Sequence, residues 1–144
     1  MFIQNIDCQI VVSVSPIRHL RDGLVENNRS KAALLLAADA LSEHFERVHY
    51  FPAYELVMDD LRDYRFFEPD MMHPSQQAID YVWQYFAHTF FSKNTRDLVQ
   101  EIEKINTMRA HRPMKMDTPQ YHQFANSLKA KAEVLTARFP FLSF

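Results

Sequence analysis

The chain has 144 residues, 24% charged and 47% hydrophobic, a length and composition that fit one globular domain with a real core. A formal net charge of −2 gives no electrostatic basis for binding nucleic acid or an anionic membrane, and no apolar run reaches membrane-spanning length. The single cysteine, Cys8, excludes an internal disulfide, and Asp7 stands where a secretory leader needs an apolar core, so a cytoplasmic location is expected.

The first element is a β-branched run at residues 10–14, ended by Ser15-Pro16, which reads as a short buried strand. Residues 17–28 are polar and hold Gly23, the only glycine, against an average of about 7%. So little glycine points to a mostly helical segment or to part of a larger fold, because complete α/β enzymes use several glycines in tight turns. Ser30 is the expected N-cap of a helix over 31–45, where Leu34, Ala38, Leu41 and Phe45 repeat at helical spacing. A second strand at 48–51 stops at Pro52, and strand, helix and strand in this order predict a right-handed unit with parallel strands.

Residues 54–61 read as a short helix or turn, followed by a charged and aromatic loop over 62–74. Ser75 or His73 caps the next helix, with Pro74 in its first turn and Ile79, Val82, Trp83, Phe86 and Phe90 on one face. Helices at 95–109 and 119–138, separated by a linker over 113–119, complete the chain as a helical hairpin or lid. Leu98, Ile102 and Ile105 line the first of these, and Tyr121, Phe124, Leu128, Leu135 and Phe139 line the second.

Several segments in order carry a family resemblance: Ser15-Pro16-Ile17-Arg18-His19, Arg29-Ser30-Lys31-Ala32, Phe51-Pro52-Ala53-Tyr54-Glu55, residues 59–67, and Asp70-Met71-Met72-His73-Pro74-Ser75. Together they resemble the C-terminal part of the GSCFA domain, a bacterial family similar to SGNH-type esterases, over about residues 10–90. The resemblance implies an α/β fold, here a partial flavodoxin-like parallel-sheet sandwich over 1–92, to which the helical pattern adds an extension over 93–144. It also implies ester hydrolysis or acyl transfer by a serine nucleophile, with His73 as general base, Asp70 as its orienting acid and no metal or organic cofactor. The implied partner is an ester-containing small molecule or glycan. The Gly-Ser-Cys-Phe-Ala segment that names the family does not occur in these residues, so the chain reads as a C-terminal piece. The competing expectation is a non-catalytic fragment that pairs with an upstream half-domain or with itself.

Each candidate residue also has a plainer reading. An aspartate three residues before a histidine can fix the imidazole tautomer beside a nucleophile, or the two can simply cap the following helix. Ser13, Ser15, Ser30, Ser75 and Cys8 lack a nucleophile elbow or a cationic neighbour and read as structural. Arg18, His19 and Asn28 follow the first strand, where open parallel sheets bind ligands, and are the expected substrate-side residues. Arg18 could instead pair with Asp22 or Glu26, and Asn27 and Asn28 could cap the loop. Arg62, Asp63, Tyr64 and Arg65 read best as a buried ion-pair network bracing the long loop. Trp83 reads as core, and the seven histidines lack zinc-ligand spacing.

Overall fold

The computed structural model describes residues 7–110 and 118–144. The β-branched run forms strand β1 (Ile10–Val12), with the buried Val14 just beyond the ladder. Strand β2 (Val48–Tyr50) pairs with β1 in parallel, Ile10 opposite Val48 and Val12 opposite Tyr50. The connection is helix α1 (Leu24–His44), as the strand–helix–strand order requires.

Helix α1 starts at Leu24, not at residue 31, and Ser30 lies inside it instead of capping it. Gly23 takes the N-cap position with φ of 89°, so the only glycine stands where an L side chain would be strained. Asn27 and Asn28 carry loop chemistry in the sequence but sit in the first turns of the helix. The buried Asn27 spends its side-chain oxygen on the His19 backbone N–H at 2.7 Å, which removes it from competition with the helix backbone.

The stripe expected on α1 is buried only at Ala38. Leu34, Leu41 and Phe45 stay exposed, and so do Leu24 and Val25 at 62% and Leu36 at 72%. Apolar residues surround this helix on all sides between Ala32 and Leu41. Among the described residues, a two-stranded sheet covers one side of it.

After β2, Phe51 donates its N–H to the Val12 carbonyl at 2.8 Å, and Pro52 opens a short helix α2 (Ala53–Glu55). This runs into a π-helical turn, Leu56–Asp60, closed by the Leu61 N–H on the Leu56 carbonyl at 3.0 Å. At the sheet's C-terminal edge the Tyr50 hydroxyl donates to both Glu55 carboxylate oxygens, at 2.9 and 2.8 Å. Burial first, then Glu55, pushes the phenol well above its ordinary proton affinity.

A 3-10 turn (Tyr64–Phe66) precedes the loop to helix α3 (Gln76–Phe90). Leu61, Phe66 and Ala78 form a small core against which Tyr81 packs. Phe51 meets Phe86 and Phe90 edge-on, with ring centroids 5.2 and 6.0 Å away. Ile79 and Trp83, expected on the buried face, are instead exposed at 50% and 41%, because Ala78, not Ile79, takes the innermost position. Trp83 stacks on Phe86 at 5.9 Å.

The chain divides into two compact units, Met1–Phe90 and Phe91–Phe144. The second contains α4 (Lys93–Ala110) and α5 (Pro119–Arg138). Thr118 caps α5 by accepting the Tyr121 N–H at 3.2 Å, with Pro119 tolerated in the first turn. Ile105 and Leu135 are buried and the other predicted lining residues half-buried, while Arg138 donates to Glu101 at 2.8 Å. Most of the predicted 113–119 linker lies outside the described residues. The chain is thus mixed α/β and mostly helical, with a small parallel sheet and a helical C-terminus. Among the described residues, no helix is long and apolar enough to cross a membrane.

Candidate functional site

The loop between the 3-10 turn and α3 folds back on itself. Phe67 and Pro74 form an antiparallel bridge, the Ser75 N–H binds the Phe66 carbonyl at 2.8 Å, and the Glu68 N–H binds the His73 carbonyl at 2.8 Å. Asp70 and His73 sit within this closed loop. Asp70 Oδ1 accepts the backbone N–H groups of Met72 (2.8 Å) and His73 (3.0 Å). Its other oxygen, Oδ2, lies 2.5 Å from His73 Nδ1.

One carboxylate oxygen is therefore fixed by the backbone and the other by the ring. The His73 amide, then its imidazole, then the Met72 amide hold the Asp70 carboxyl down at about 2 from its ordinary 3.8. An ionised carboxylate can only accept, so the Nδ1 contact is an N–H donor and the neutral ring keeps Nε2 as its acceptor. Neither residue caps α3. That role falls to Ser75, whose hydroxyl oxygen accepts the Ala78 N–H at 3.4 Å. The His73 and Asp70 side chains are 55% and 38% exposed, open to a reacting partner.

A pH dependence follows. A carboxyl whose folded value lies below its unfolded one stabilises the fold above the unfolded value, and that contribution disappears as pH falls through the folded value. Between pH 3.8 and about 2 the native chain is expected to lose stability that Asp70→Asn lacks at every pH. Urea midpoints of both proteins across that range check this, and parallel acid limbs would contradict it.

Arg18 latches the loop from the segment after β1. Its Nη1 donates to the Met71 carbonyl at 3.0 Å, and its backbone N–H reaches the Met72 carbonyl at 3.3 Å. The guanidinium lies 4.7 Å over the Phe67 ring and 5.5 Å from the Tyr64 ring. Met71 has φ of 60°, a left-handed conformation that costs a non-glycine residue about 1–2 kcal/mol. The Arg18 contact, the Met71 N–H on the Glu68 carbonyl and the Asp70 bonds together hold it there.

The other substrate-side candidates are placed differently. His19 Nε2 lies 3.6 Å from Asp22, and the Asn28 side-chain oxygen accepts from Asn27 at 3.3 Å. Asp22 and Glu26 engage His19 and Arg29 and leave Arg18 to the loop. The half-buried Lys31 donates to the Ser15 carbonyl at 2.5 Å, and burial lowers its proton affinity. The expected buried network at 62–65 is instead exposed and local: Arg62 pairs with Asp59 at 3.0 Å, and Asp63 accepts the Arg65 N–H at 2.9 Å. These side chains are short-range partners facing solvent, so they cannot brace the loop from within. Bracing comes from Arg18 and its two aromatic faces, which spacing alone does not reveal because the partners are about fifty residues apart in sequence.

Among the described residues, no serine, threonine or cysteine is hydrogen-bonded to the His73 ring, and no cluster of three His, Cys, Asp or Glu side chains could hold a metal. Ser15 accepts the Ile17 N–H at 3.2 Å, and Cys8 faces the Gln9 carbonyl at 3.7 Å. His111 lies outside the described residues.

Two family models match the chain. The GSCFA family model covers residues 2–86, and the model of the GSCFA domain protein C-terminal domain covers residues 102–144. The chain belongs to the GSCFA family. The GSCFA family match takes in β1, α1, β2 and the whole Asp70–His73 loop, and the C-terminal match takes in the second half of α4 and all of α5. No curated protein and no solved structure matches the chain.

Proposed function

We propose that this GSCFA protein contributes the base-and-orienting-acid half of an SGNH-like ester hydrolase or acyltransferase site in the cytoplasm. The observation that carries the reading is the Asp70 carboxylate, locked by two backbone amides and set 2.5 Å from His73 Nδ1. Such a pair presents Nε2 to a serine hydroxyl. The hydroxyl attacks the ester carbonyl as its proton passes to Nε2, and His73 returns that proton to the departing alkoxide. Water or an acceptor alcohol then resolves the acyl-enzyme, with no need of a metal or organic cofactor. Arg18, His19 and Asn28 form the substrate side, facing an ester-containing small molecule or glycan. The serine comes from a segment that pairs with this one, either an upstream half-domain or another chain.

An oriented imidazole is itself a nucleophile toward activated esters, so the site is testable without that serine. The chain is expected to hydrolyse p-nitrophenyl acetate above background, and His73→Ala is expected to remove the excess. A rate unchanged by His73→Ala would end this reading.

The exposed apolar α1 and the two-stranded parallel sheet favour a second reading, a non-catalytic unit that works by association with another chain or itself. Parallel sheets are ordinarily covered on both faces, and among the described residues β1 and β2 each leave an edge unpaired. Sedimentation velocity of the purified chain decides it: association is expected, and a stable monodisperse monomer would count against it.

A further inference from the structure

On the Arg18 side of the loop lies a cavity of about 160 Å³. Arg18, Arg62 and Asp63 give it charge, Val57 and Met58 of the π-helical turn give it apolar surface, and Tyr64 and Phe67 are its aromatic walls. From this arrangement we infer that the cavity is a binding site for a short monocarboxylate with an apolar tail, its carboxylate held by the Arg18 guanidinium. The inference rests on reading Arg18 as a ligand-facing residue, but it requires no turnover at His73.

The charges in the cavity are not equivalent. Asp63 belongs to Arg65, accepting its backbone N–H at 2.9 Å and lying 4.0 Å from its guanidinium, and Arg62 is paired with Asp59 at 3.0 Å. Arg18 has no carboxylate within 4.0 Å among the described residues. Its one hydrogen-bond acceptor through the side chain is the Met71 carbonyl, while a guanidinium offers five N–H donors. A half-buried cation without an anionic partner, in a concave site, calls for an anion from solution.

The two rings help hold the guanidinium in place, and its planar fork suits a planar carboxylate better than a tetrahedral oxyanion. One unpaired positive charge balances a monoanion. A phosphate dianion would need a second free cation, and Arg62 is already paired while the Asp63 carboxylate lines the same cavity. Met58, half-buried and next in sequence to the fully buried Val57, leaves apolar surface for a tail of a few carbons. Arg18 is shared with the loop that bears Asp70 and His73, so the ligand would sit against the latch of the proposed active site.

The test is an NMR titration of the full chain with sodium butyrate, with butyramide and inorganic phosphate at matched ionic strength as comparators. Saturable shifts are expected at the Arg18 Nε–H and at the amides of Val57, Met58 and Phe67 with butyrate, and none with butyramide. Arg18→Lys keeps the charge but not the fork, and should weaken binding about tenfold. Arg62→Gln removes a cation already paired with Asp59 and should change binding by less than about threefold. Non-saturating shifts, equal binding of butyramide, phosphate binding as tight as butyrate, or unchanged affinity in Arg18→Lys would each overturn the inference. Butyrate binding without His73-dependent ester hydrolysis would leave this site standing and remove the catalytic reading. Hydrolysis without butyrate binding would do the reverse.

Discussion

Asp70→Asn is expected to reduce His73-dependent ester turnover by about 10,000-fold in a site that holds its serine, while leaving the loop folded. Asparagine is nearly isosteric, and its carbonyl oxygen can still accept the Met72 and His73 amides. Its NH2 group would then face His73 Nδ1, and two donors cannot share that contact. The ring must then carry its proton on Nε2, where a general base has to accept one. The steady-state rate of p-nitrophenyl acetate hydrolysis by native and variant proteins reads this out. For the chain alone, the same tautomer switch should abolish the imidazole's own attack. An Asp70→Asn rate within about threefold of native would mean that the carboxylate does not govern the ring.

The second large effect concerns the floor on which the loop stands. Phe66 is buried beside Leu61 and the fully buried Ala78, and its carbonyl accepts the Ser75 N–H that closes the loop. The Arg65 guanidinium covers its ring at 4.7 Å. Truncating a buried phenylalanine removes its transfer free energy and leaves a cavity, so Phe66→Ala should cost about 3–5 kcal/mol. Urea unfolding of the N-terminal unit checks the loss. A cost under about 1 kcal/mol would show that the loop stands without this core.

Elements defined by local pattern were legible in the sequence. The β-branched run at Ile10 and the short strand stopped by Pro52 gave the parallel pair, and the expected helix over 119–138 matches α5. The start of α1 was not legible, because Asn27 and Ser30 carry the chemistry of loops and caps while tertiary contacts put both inside a helix. Burial was least legible. Helical spacing places Leu34, Leu41, Ile79 and Trp83 on apolar stripes, but which stripe is covered depends on what stands opposite, and here Ala38 and Ala78 take the inner positions.

At the site, the Asp70–His73 spacing pointed to the pair, since three residues suffice for a local contact. The latch did not show, because Arg18 reaches Met71 across the fold. Nor did the left-handed Met71, whose conformation no side-chain preference announces. The resemblance of the ordered segments identified the GSCFA family correctly, and both family models agree with it.

Asp70 fixes the His73 tautomer with Nε2 as acceptor. Long-range 1H–15N correlation of the His73 ring measures it directly. The neutral ring should carry its proton on Nδ1, with a bare Nε2, and Asp70→Asn should reverse the two nitrogens. A proton on Nε2 in the native chain, or a ring spectrum indifferent to Asp70→Asn, would contradict the account.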